Sequence, residues 1–267
     1  MDIDLRAYDT DKTVDYLANY EREFGDRFSD DVALLELGIQ RGGSMRLWLD
    51  LLPNAQIAGL DLNEIEVTDD TDRLHVYRGF QQDPAILDRI AEEVAPAGFD
   101  VIVDDASHLG MYTAASFWHL FPRHLKSGGV YVLDDWGCGY WPAWADGHAY
   151  TGSRAALGDF GATRNAAGTS GPNKLEALRR RIRLSARPIA AKLPASTRER
   201  LEKVYMRLEG ATVRNRLRSH DYGMVGFVKQ LVDATSVRNI DVDRGGLFDN
   251  EIASVHVYAS QVFVHKR

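Results

Sequence analysis

Two acidic clusters and a histidine have the residue types and spacing that metal-assisted proton transfer requires. Asp105 and His108 follow an apolar run at 99–103, and Asp134 and Asp135 follow the next apolar run, at 130–133. If both runs are strands of one parallel sheet, their carboxyl ends meet at one edge. Three carboxylates at such an edge suit a hard, oxygen-preferring cation, so we predict that Asp105, Asp134 and Asp135 bind Mg²⁺.

His108 is our predicted general base. A cation that contacts an alcohol oxygen lowers the pKa of that alcohol, and a neutral imidazole nearby can then accept the proton. Most single histidines in proteins are structural, but His108 comes three residues after a strand-end acid. His119 and His124 are less favoured, because they lie in or just after a predicted helix.

Aromatic side chains follow the second acidic pair. Tyr140, Trp141 and Trp144 lie within ten residues of Asp134, and aromatic rings near a site can stack against sugar rings, although plain packing explains them equally well. His148 lies in a predicted loop and is assigned to the same acceptor pocket. These four residues are the predicted substrate-binding set.

Alternating strands and helices must position these groups. The hydrophobic periodicity predicts an amphipathic helix over 12–28 and another C-terminal helix over 223–232. Between them, strands alternate with helices, which indicates a mostly parallel sheet with helices on both faces. The predicted strands are 32–37, 56–60, 75–79, 99–103 and 130–133, followed by an antiparallel hairpin of 252–258 and 261–265.

A glycine-rich segment suggests a nucleotide-like ligand. LLELGIQRGGS (34–44) joins a strand to a helix through Gly38, Gly42 and Gly43, which permits close backbone approach to a ligand. The spacing departs from the G-x-G-x-x-G fingerprint of dinucleotide sites. Asp61 closes the next strand, where its carboxylate can accept both ribose hydroxyls. The pattern therefore favours an adenosyl ligand over a dinucleotide.

Composition limits the remaining possibilities. The chain has 267 residues, which fits one α/β domain, and a net charge of −7, which argues against a general nucleic-acid binder. A single cysteine, Cys138, and the lack of a signal or a membrane-spanning run predict a cytoplasmic protein. The strand pattern stops over 145–220, which we interpret as a helical insertion, and its Arg-rich part, 174–218, is compatible with a homo-oligomer interface, a lid or an acidic-acceptor site.

Together these segments resemble the sugar O-methyltransferases related to the macrolide-glycoside methyltransferases, near the rhamnosyl and mycobacterial mannoside methyltransferases and the cephalosporin-hydroxylase-like proteins. The resemblance covers most of the chain outside 145–218. The segments that carry it are YDTDK (8–12), LLELGIQRGGSMRLW (34–48), GLDLN (59–63), VIVDDASH (101–108), LFPRHLKSGGVYVLDDW (120–136), YW (140–141) and SVHVYASQVFVHK (254–266).

The resemblance implies a Rossmann-like class I methyltransferase fold, S-adenosylmethionine as donor and Mg²⁺ as metal. It also implies the same metal ligands and base as the residue pattern, and it implies an adenosyl site formed by Glu36, Gly38, Ser44, Asp61, Gln81 and Asp104. The expected acceptor is a small molecule or oligosaccharide whose sugar hydroxyl is methylated. Asp134 stands where relatives often have Glu, which shortens the reach of one metal ligand, and Ala106 replaces a common Gly.

Three alternatives remain open from the sequence. A methyltransferase of a catechol or another phenol shares the metal chemistry. An iron-dependent oxygenase needs two histidines and a carboxylate, and the chain has no convincing second histidine beside His108. A non-catalytic binding module would keep the sheet but lose the site, whereas the acids and His108 are present.

Overall fold

The computed structural model describes residues 3–67, 72–141, 143–149, 221–240 and 251–267. The chain divides into two units, Met1–Gly147 with Tyr222–Arg267, and His148–Asp221. The fold below is that of the first unit. The predicted insertion and its Arg-rich segment fall almost wholly outside the described residues.

The first unit contains a seven-stranded sheet. In chain order the strands are β1 (Ala33–Leu37), β2 (Gln56–Asp61), β3 (Leu74–Arg78), β4 (Phe99–Asp104), β5 (Leu125–Asp134), β6 (Ile252–Val257) and β7 (Gln261–Lys266). Their order across the sheet is β3-β2-β1-β4-β5-β7-β6. The pairs among β1 to β5 are parallel, and β7 runs antiparallel to both of its neighbours. The predicted mixed sheet with an antiparallel C-terminal hairpin is confirmed.

Helices cover both faces of the sheet. They are α1 (Val14–Phe24), α2 (Gly43–Leu51), α3 (Pro84–Val94), α4 (Gly110–Arg123), a short α5 (Ala145–Ala149) and α6 (Gly223–Ile240). On one face, Tyr20 and Phe24 of α1 and Trp48 of α2 are buried in one apolar cluster. On the other face, α3, α4 and α6 pack through a second cluster that includes Phe117 and Phe227.

Most predicted elements lie within two residues of the observed bounds, and three differ. The α-helix predicted over 12–28 ends at Phe24 and continues only as a 3-10 turn, Gly25–Arg27. The strand predicted over 130–133 is the last part of β5, which already starts at Leu125: Leu125 pairs with Phe99 and Val130 with Val101, so the intervening residues form an irregularity in the strand. Helix α6 continues eight residues beyond the predicted end at Val232. Within the described residues, no helix combines the length and the apolar character needed to span a bilayer.

The strand order reverses at β1, because β2 lies on one side of it and β4 on the other. In open α/β sheets, ligands bind beyond the carboxyl ends of the strands at this reversal point. Glu36, Asp61, Asp104 and Asp134 are within one residue of the carboxyl ends of β1, β2, β4 and β5. The fold therefore brings the predicted chemistry to one edge.

Close contact between α4 and α6 gives a testable feature of this architecture. A Cβ atom on Gly110 would lie 2.1 Å from the backbone carbon of Gly223. Asp146 joins the same two helix starts, since its Oδ2 accepts the backbone N–H groups of Gly110 (2.8 Å) and Met224 (2.7 Å). A carboxylate is favourable at helix N-termini.

We predict that Gly110→Ala lowers the free energy of unfolding by about 1–3 kcal/mol, because the added methyl group must displace backbone. Urea unfolding measures this change. Gly25→Ala is the matched control, since its Cβ would meet only the flexible Glu21 side chain, at 3.2 Å. An equal effect of the two substitutions would show that the α4–α6 contact is not tight.

Candidate active site at the carboxyl edge of the sheet

A buried lysine lies among the strand-end carboxylates. Lys12, in the segment before α1, places its Nζ 2.9 Å from Glu36 Oε1, 2.9 Å from Asp105 Oδ2 and 3.0 Å from Asp134 Oδ2. Its side chain is 1% exposed. Burial by itself lowers the pKa of Lys12, but Asp105, Glu36 and Asp134 outweigh it and raise that pKa well above the usual value. Lys12 is therefore a fixed positive charge that links three strands.

Asp134 faces inward from the end of β5. Its Oδ2 accepts from Lys12 and from the hydroxyl of Tyr20, and its Oδ1 accepts from Gln261 Nε2 at 3.0 Å. The Asp134 side chain is fully buried. Both oxygens of Asp134 therefore already accept hydrogen bonds from the protein. We call this buried part the closed side of the site.

Asp105, His108 and Asp135 form the open side. One ligand atom from each lies within 4.8 Å of the others, an arrangement that could hold a metal ion. His108 Nε2 is 3.9 Å from Asp105 Oδ1, and the Tyr16 hydroxyl donates to Asp135 Oδ1. The structure thus brings together three of the four residues predicted as base and metal ligands, while Asp134 points to Lys12.

The backbone at two of these residues is unusual. His108 has φ 53° and Asp135 has φ 55°, in the left-handed region that non-glycine residues seldom adopt. Such conformations cost free energy and concentrate at functional sites. His108 and Asp135 follow different strands, so the fold imposes the conformation twice at the same edge.

The charges at this edge do not balance. One ammonium group, Lys12, lies among Glu36, Asp105 and Asp134, and Asp135 adds a fourth carboxylate. Burial raises the pKa of Asp105 well above its usual value, and the neighbouring carboxylates act in the same direction. A divalent cation would offset the remaining negative charge, and carboxylate oxygens are its preferred ligands.

The predicted adenosyl residues lie around β1, β2 and β4. Glu36 Oε2 accepts from Trp48 Nε1 at 3.0 Å, so Glu36 is held between α2 and Lys12. Gln81 donates through Nε2 to Asp104 Oδ1 (3.1 Å) and accepts the Ser107 N–H (3.0 Å). Burial raises the pKa of Asp104.

Asp61 organises the glycine-rich loop. Its Oδ2 accepts the backbone N–H groups of Ile39 (3.1 Å) and Gln40 (3.0 Å), and its Oδ1 accepts both the backbone N–H (2.8 Å) and the side-chain amide (3.2 Å) of Asn63. A carboxylate offers about four lone-pair positions, so a further donor would have to displace one of these groups, and the Asn63 side-chain amide makes the longest of the four hydrogen bonds. Asp61 is half-buried, which leaves it reachable from solvent.

Two glycines of this loop also allow other backbone segments of the chain to approach closely. Gly38 has φ 85°, and a Cβ there would lie 2.4 Å from the Asp105 carbonyl oxygen. A Cβ on Gly43 would lie 2.0 Å from the Asp9 carbonyl oxygen. The lack of a side chain at Gly38 thus allows the loops after β1 and β4 to contact each other. The lack of one at Gly43 allows the segment that carries Lys12 to pass close to α2. Ser44 follows as a buried residue at the start of α2.

The structure brings only some of the predicted acceptor-binding residues close to His108. Trp144 packs edge-on against His108, with ring centroids 5.1 Å apart, and it is partly exposed, as is Trp141. Tyr140 is half-buried and lies 5.8 Å from the ring of Trp136. His148 is exposed in α5 and belongs to the second unit.

Cys138 is buried close to this site. Burial raises the pKa of its thiol to about 12, with a further contribution from Asp135 and Asp105. The thiol therefore stays protonated at neutral pH. Since the thiolate is the nucleophilic form, burial opposes a role of Cys138 as a nucleophile.

Sequence reasoning missed the residues that support the carboxylates. Lys12 belongs to the segment YDTDK, to which the sequence assigns no role. The periodicity over 12–28 places Tyr16 and Tyr20 on the apolar face of a helix, and Gln261 begins a predicted strand. The available signal was the spacing of Tyr16 and Tyr20, which places two hydroxyl groups on the same helix face as the core residues.

Comparison with solved structures identifies the fold class of the chain. No protein-family model matches the chain. The crystal structure of the mycinamycin pathway methyltransferase MycE with Mg and SAH matches 94% of this chain and 49% of that chain, with a TM-score of 0.59 and 26% identity. Its complex with Mg, SAH and mycinamycin VI matches with a TM-score of 0.52 and 25% identity. The chain has the class I methyltransferase fold.

Curated relatives that match part of the chain are sugar O-methyltransferases. Mycinamicin VI 2''-O-methyltransferase of Micromonospora griseorubida is 37% identical over 134 residues, which is 48% of this chain and 33% of the relative. A Streptomyces olivaceus 3'-O-methyltransferase that acts on a rhamnosyl-tetracenomycin is 34% identical over 146 residues, 52% of this chain and 35% of the relative. Over about half of its length the chain is similar to these sugar O-methyltransferases, and the matched part spans about a third of the length of these relatives.

We predict that Lys12→Met lowers the free energy of unfolding by about 3–5 kcal/mol, because it leaves buried carboxylates without their counter-charge. Urea unfolding without metal measures the loss. Lys126→Met is the control: Lys126 pairs with Asp100 at 2.7 Å but is 34% exposed, so a change below about 1 kcal/mol is expected. Equal losses in the two variants would contradict the central role of Lys12.

Proposed function

We propose that this chain is an S-adenosylmethionine- and Mg²⁺-dependent O-methyltransferase that methylates a sugar hydroxyl in a glycoside, an oligosaccharide or a glycosylated natural product. The observation that carries the proposal is the convergence of Asp105, His108 and Asp135 at the strand-order reversal. Two of these residues are held in left-handed backbone conformations. The similarity to glycoside O-methyltransferases over about half of the chain supports the reaction type.

The donor would lie beside the loop that follows β1. The ribose hydroxyls would donate to Asp61 in place of the Asn63 side-chain amide, and Gly38 and Ser44 border the same loop. Glu36 is held by Trp48 and Lys12 and borders this side of the site. Gln81 and Asp104 hold each other and form the adjoining wall.

The cation would be held on the open side by Asp105 and Asp135. Their ligand atoms face each other, whereas the Asp134 carboxylate accepts from Lys12, Tyr20 and Gln261. We therefore assign Asp134, predicted as the third ligand, to positioning: through Lys12 it holds Asp105. When bound, S-adenosylmethionine supplies a methyl group on a positively charged sulfur, and Mg²⁺ supplies positive charge beside the acceptor oxygen.

His108 would accept the proton of the acceptor hydroxyl. Its Nε2 faces Asp105, and its ring is packed edge-on by Trp144, which fixes the direction of the imidazole. The hydroxyl oxygen then forms its bond to the methyl carbon as the carbon–sulfur bond breaks. Tyr16 keeps Asp135 in place, and burial raises the pKa of the Tyr16 hydroxyl, so that it remains a donor.

The acceptor would lie against the aromatic residues after β5. Trp141 and Trp144 offer partly exposed ring faces, on which a sugar ring can stack. The names of the relatives, which refer to macrolide and rhamnosyl-tetracenomycin compounds, support a glycoside. Tyr140, beside Trp136, completes the proposed pocket within the first unit. The role of His148, which belongs to the second unit, stays a prediction from the sequence. Cytoplasmic location and homo-oligomerisation remain predictions from the sequence.

We predict that Asp61→Asn weakens S-adenosylhomocysteine binding about tenfold, because it removes the charge and one acceptor from the ribose site, a loss of roughly 1.4 kcal/mol. Calorimetric titration measures the Kd. Asp83→Asn is the matched control, since Asp83 caps the start of α3 through the Ala85 N–H and Asn caps equally well. Unchanged binding in Asp61→Asn would remove Asp61 from the donor site.

We predict that His108→Asn lowers kcat for glycoside methylation about 10²–10⁴-fold, the usual contribution of a general base. Asn tolerates the left-handed backbone of this position, so S-adenosylhomocysteine binding should be unchanged. His119→Asn should keep full activity. The assay uses a panel of glycosides and catechols with Mg²⁺ or EDTA.

Two results of this assay would contradict the proposal. Full activity of His108→Asn would exclude His108 as the base. Methylation of catechols alone would replace the sugar acceptor with a phenolic one.

A further inference from the structure

A second cluster of metal-binding residue types lies between α1 and the C-terminal hairpin. His256 Nδ1 and His265 Nε2 lie 2.7 Å and 2.9 Å from the same oxygen, Glu23 Oε2. One ligand atom from each residue lies within 4.8 Å of the other two. None of the three residues belongs to the site at the carboxyl edge of the sheet.

The register of the hairpin explains why the two imidazoles meet. Ser254 pairs with His265, and His256 pairs with Phe263, so all four side chains point to the same face of the β6–β7 pair. His256 and His265 are diagonal neighbours on that face, with ring centroids 4.7 Å apart. Regular strands therefore position both residues, with no loop involved.

Helix α1 brings the carboxylate over this face. Tyr20 of α1 packs edge-on against Phe263, with ring centroids 6.0 Å apart. Glu23, one turn further on, is 6% exposed in its side chain, and its Oε1 accepts from the Tyr258 hydroxyl. An outer hydrogen bond of this kind orients a ligand and leaves its second oxygen available.

The protonation states suit a metal ligand set. Burial lowers the pKa of His265, and His256 and Arg27 act in the same direction against the hydrogen bond to Glu23. Burial alone raises the pKa of Glu23, but the hydrogen bonds from Tyr258, His256 and His265 lower it overall. A neutral imidazole and an ionised carboxylate are the forms that bind metal.

We propose that Glu23, His256 and His265 form a binding site for a divalent transition-metal ion of the zinc type. Two imidazole nitrogens and one carboxylate oxygen are a recognised ligand set for zinc, with a fourth position left for water. Mg²⁺ prefers oxygen ligands alone, so this site is chemically distinct from the one at Asp105. In the metal-bound form, each imidazole would carry its proton on the ring nitrogen that does not face the ion.

Access and location fit this assignment. The His256 side chain is 46% exposed and that of His265 is 23% exposed, so an ion can reach the nitrogens from solvent. The ion would join α1, which carries Tyr16 and Tyr20, to β7, which carries Gln261. All three contact Asp134 or Asp135. Occupation would thus stiffen the wall behind the strand-end carboxylates.

A third cluster provides the matched control. Asp88 Oδ1 lies 2.6 Å from His119 Nε2 and 2.7 Å from His124 Nε2. There, however, Arg123 donates to His119 Nδ1 at 2.8 Å. A metal on Nε2 would force the imidazole proton onto Nδ1, facing the guanidinium group. This cluster therefore has the same residue types, but its arrangement disfavours the binding of a metal ion.

The test is a calorimetric titration of EDTA-treated, dialysed protein with Zn²⁺ in excess Mg²⁺. We expect His256→Asn to bind one Zn²⁺ fewer than the unmodified chain, or to bind that ion at least about tenfold more weakly, a difference of about 1.4 kcal/mol. His119→Asn should bind as the unmodified chain does. His256 is largely exposed on the edge strand, so the variant should fold, which circular dichroism without zinc checks.

Thermal unfolding gives a second readout. Zinc at about a hundred times the Kd of the unmodified chain should raise the Tm of that chain and of His119→Asn by about 5 °C, and that of His256→Asn by no more than about half as much. A zinc stoichiometry, affinity and Tm shift in His256→Asn equal to those of the unmodified chain would overturn the proposal. So would an equal loss in His119→Asn, or no zinc binding by the unmodified chain. Methylation activity is not part of either readout, so the outcome is independent of the proposed function.

Discussion

The buried ammonium group of Lys12 is the interaction on which the site depends. Burying carboxylates is unfavourable unless each is paired and hydrogen-bonded. Lys12 meets this requirement for β1, β4 and β5 at once, because its Nζ contacts Glu36, Asp105 and Asp134. The segment before α1, far from these strands in sequence, therefore has to lie across the carboxyl edge of the sheet.

Other features of the fold follow from the position of Lys12. Gly43 must lack a side chain, because the Asp9 backbone passes over it. Helix α1 starts directly after this segment, and its polar groups at Tyr16 and Tyr20 reach Asp135 and Asp134. The same helix packs its aromatic side chains on Trp48 and Phe263. One helix thus contributes both to the core and to the support of the carboxylates.

The sequence was sufficient to predict the fold and to identify the acidic residues at the carboxyl ends of the strands. Alternation of apolar runs predicted every strand, and the acids directly after those runs predicted a common edge. The sequence did not predict which neighbouring group each carboxylate faces. Asp134 and Asp135 are adjacent in sequence, yet one faces Lys12 and the other faces His108, because the left-handed backbone at Asp135 redirects the chain. No local pattern encodes a contact such as that between Lys12 and Asp134, 122 residues apart.

The left-handed backbone at His108 limits what this position can become. Glycine and asparagine accept that conformation more readily than histidine does, so replacing the histidine would relieve strain while removing the imidazole. In the proposed mechanism, stability and activity are therefore opposed at this residue. Substitution by asparagine or glycine would favour the backbone conformation at position 108 and, under that proposal, would remove the base.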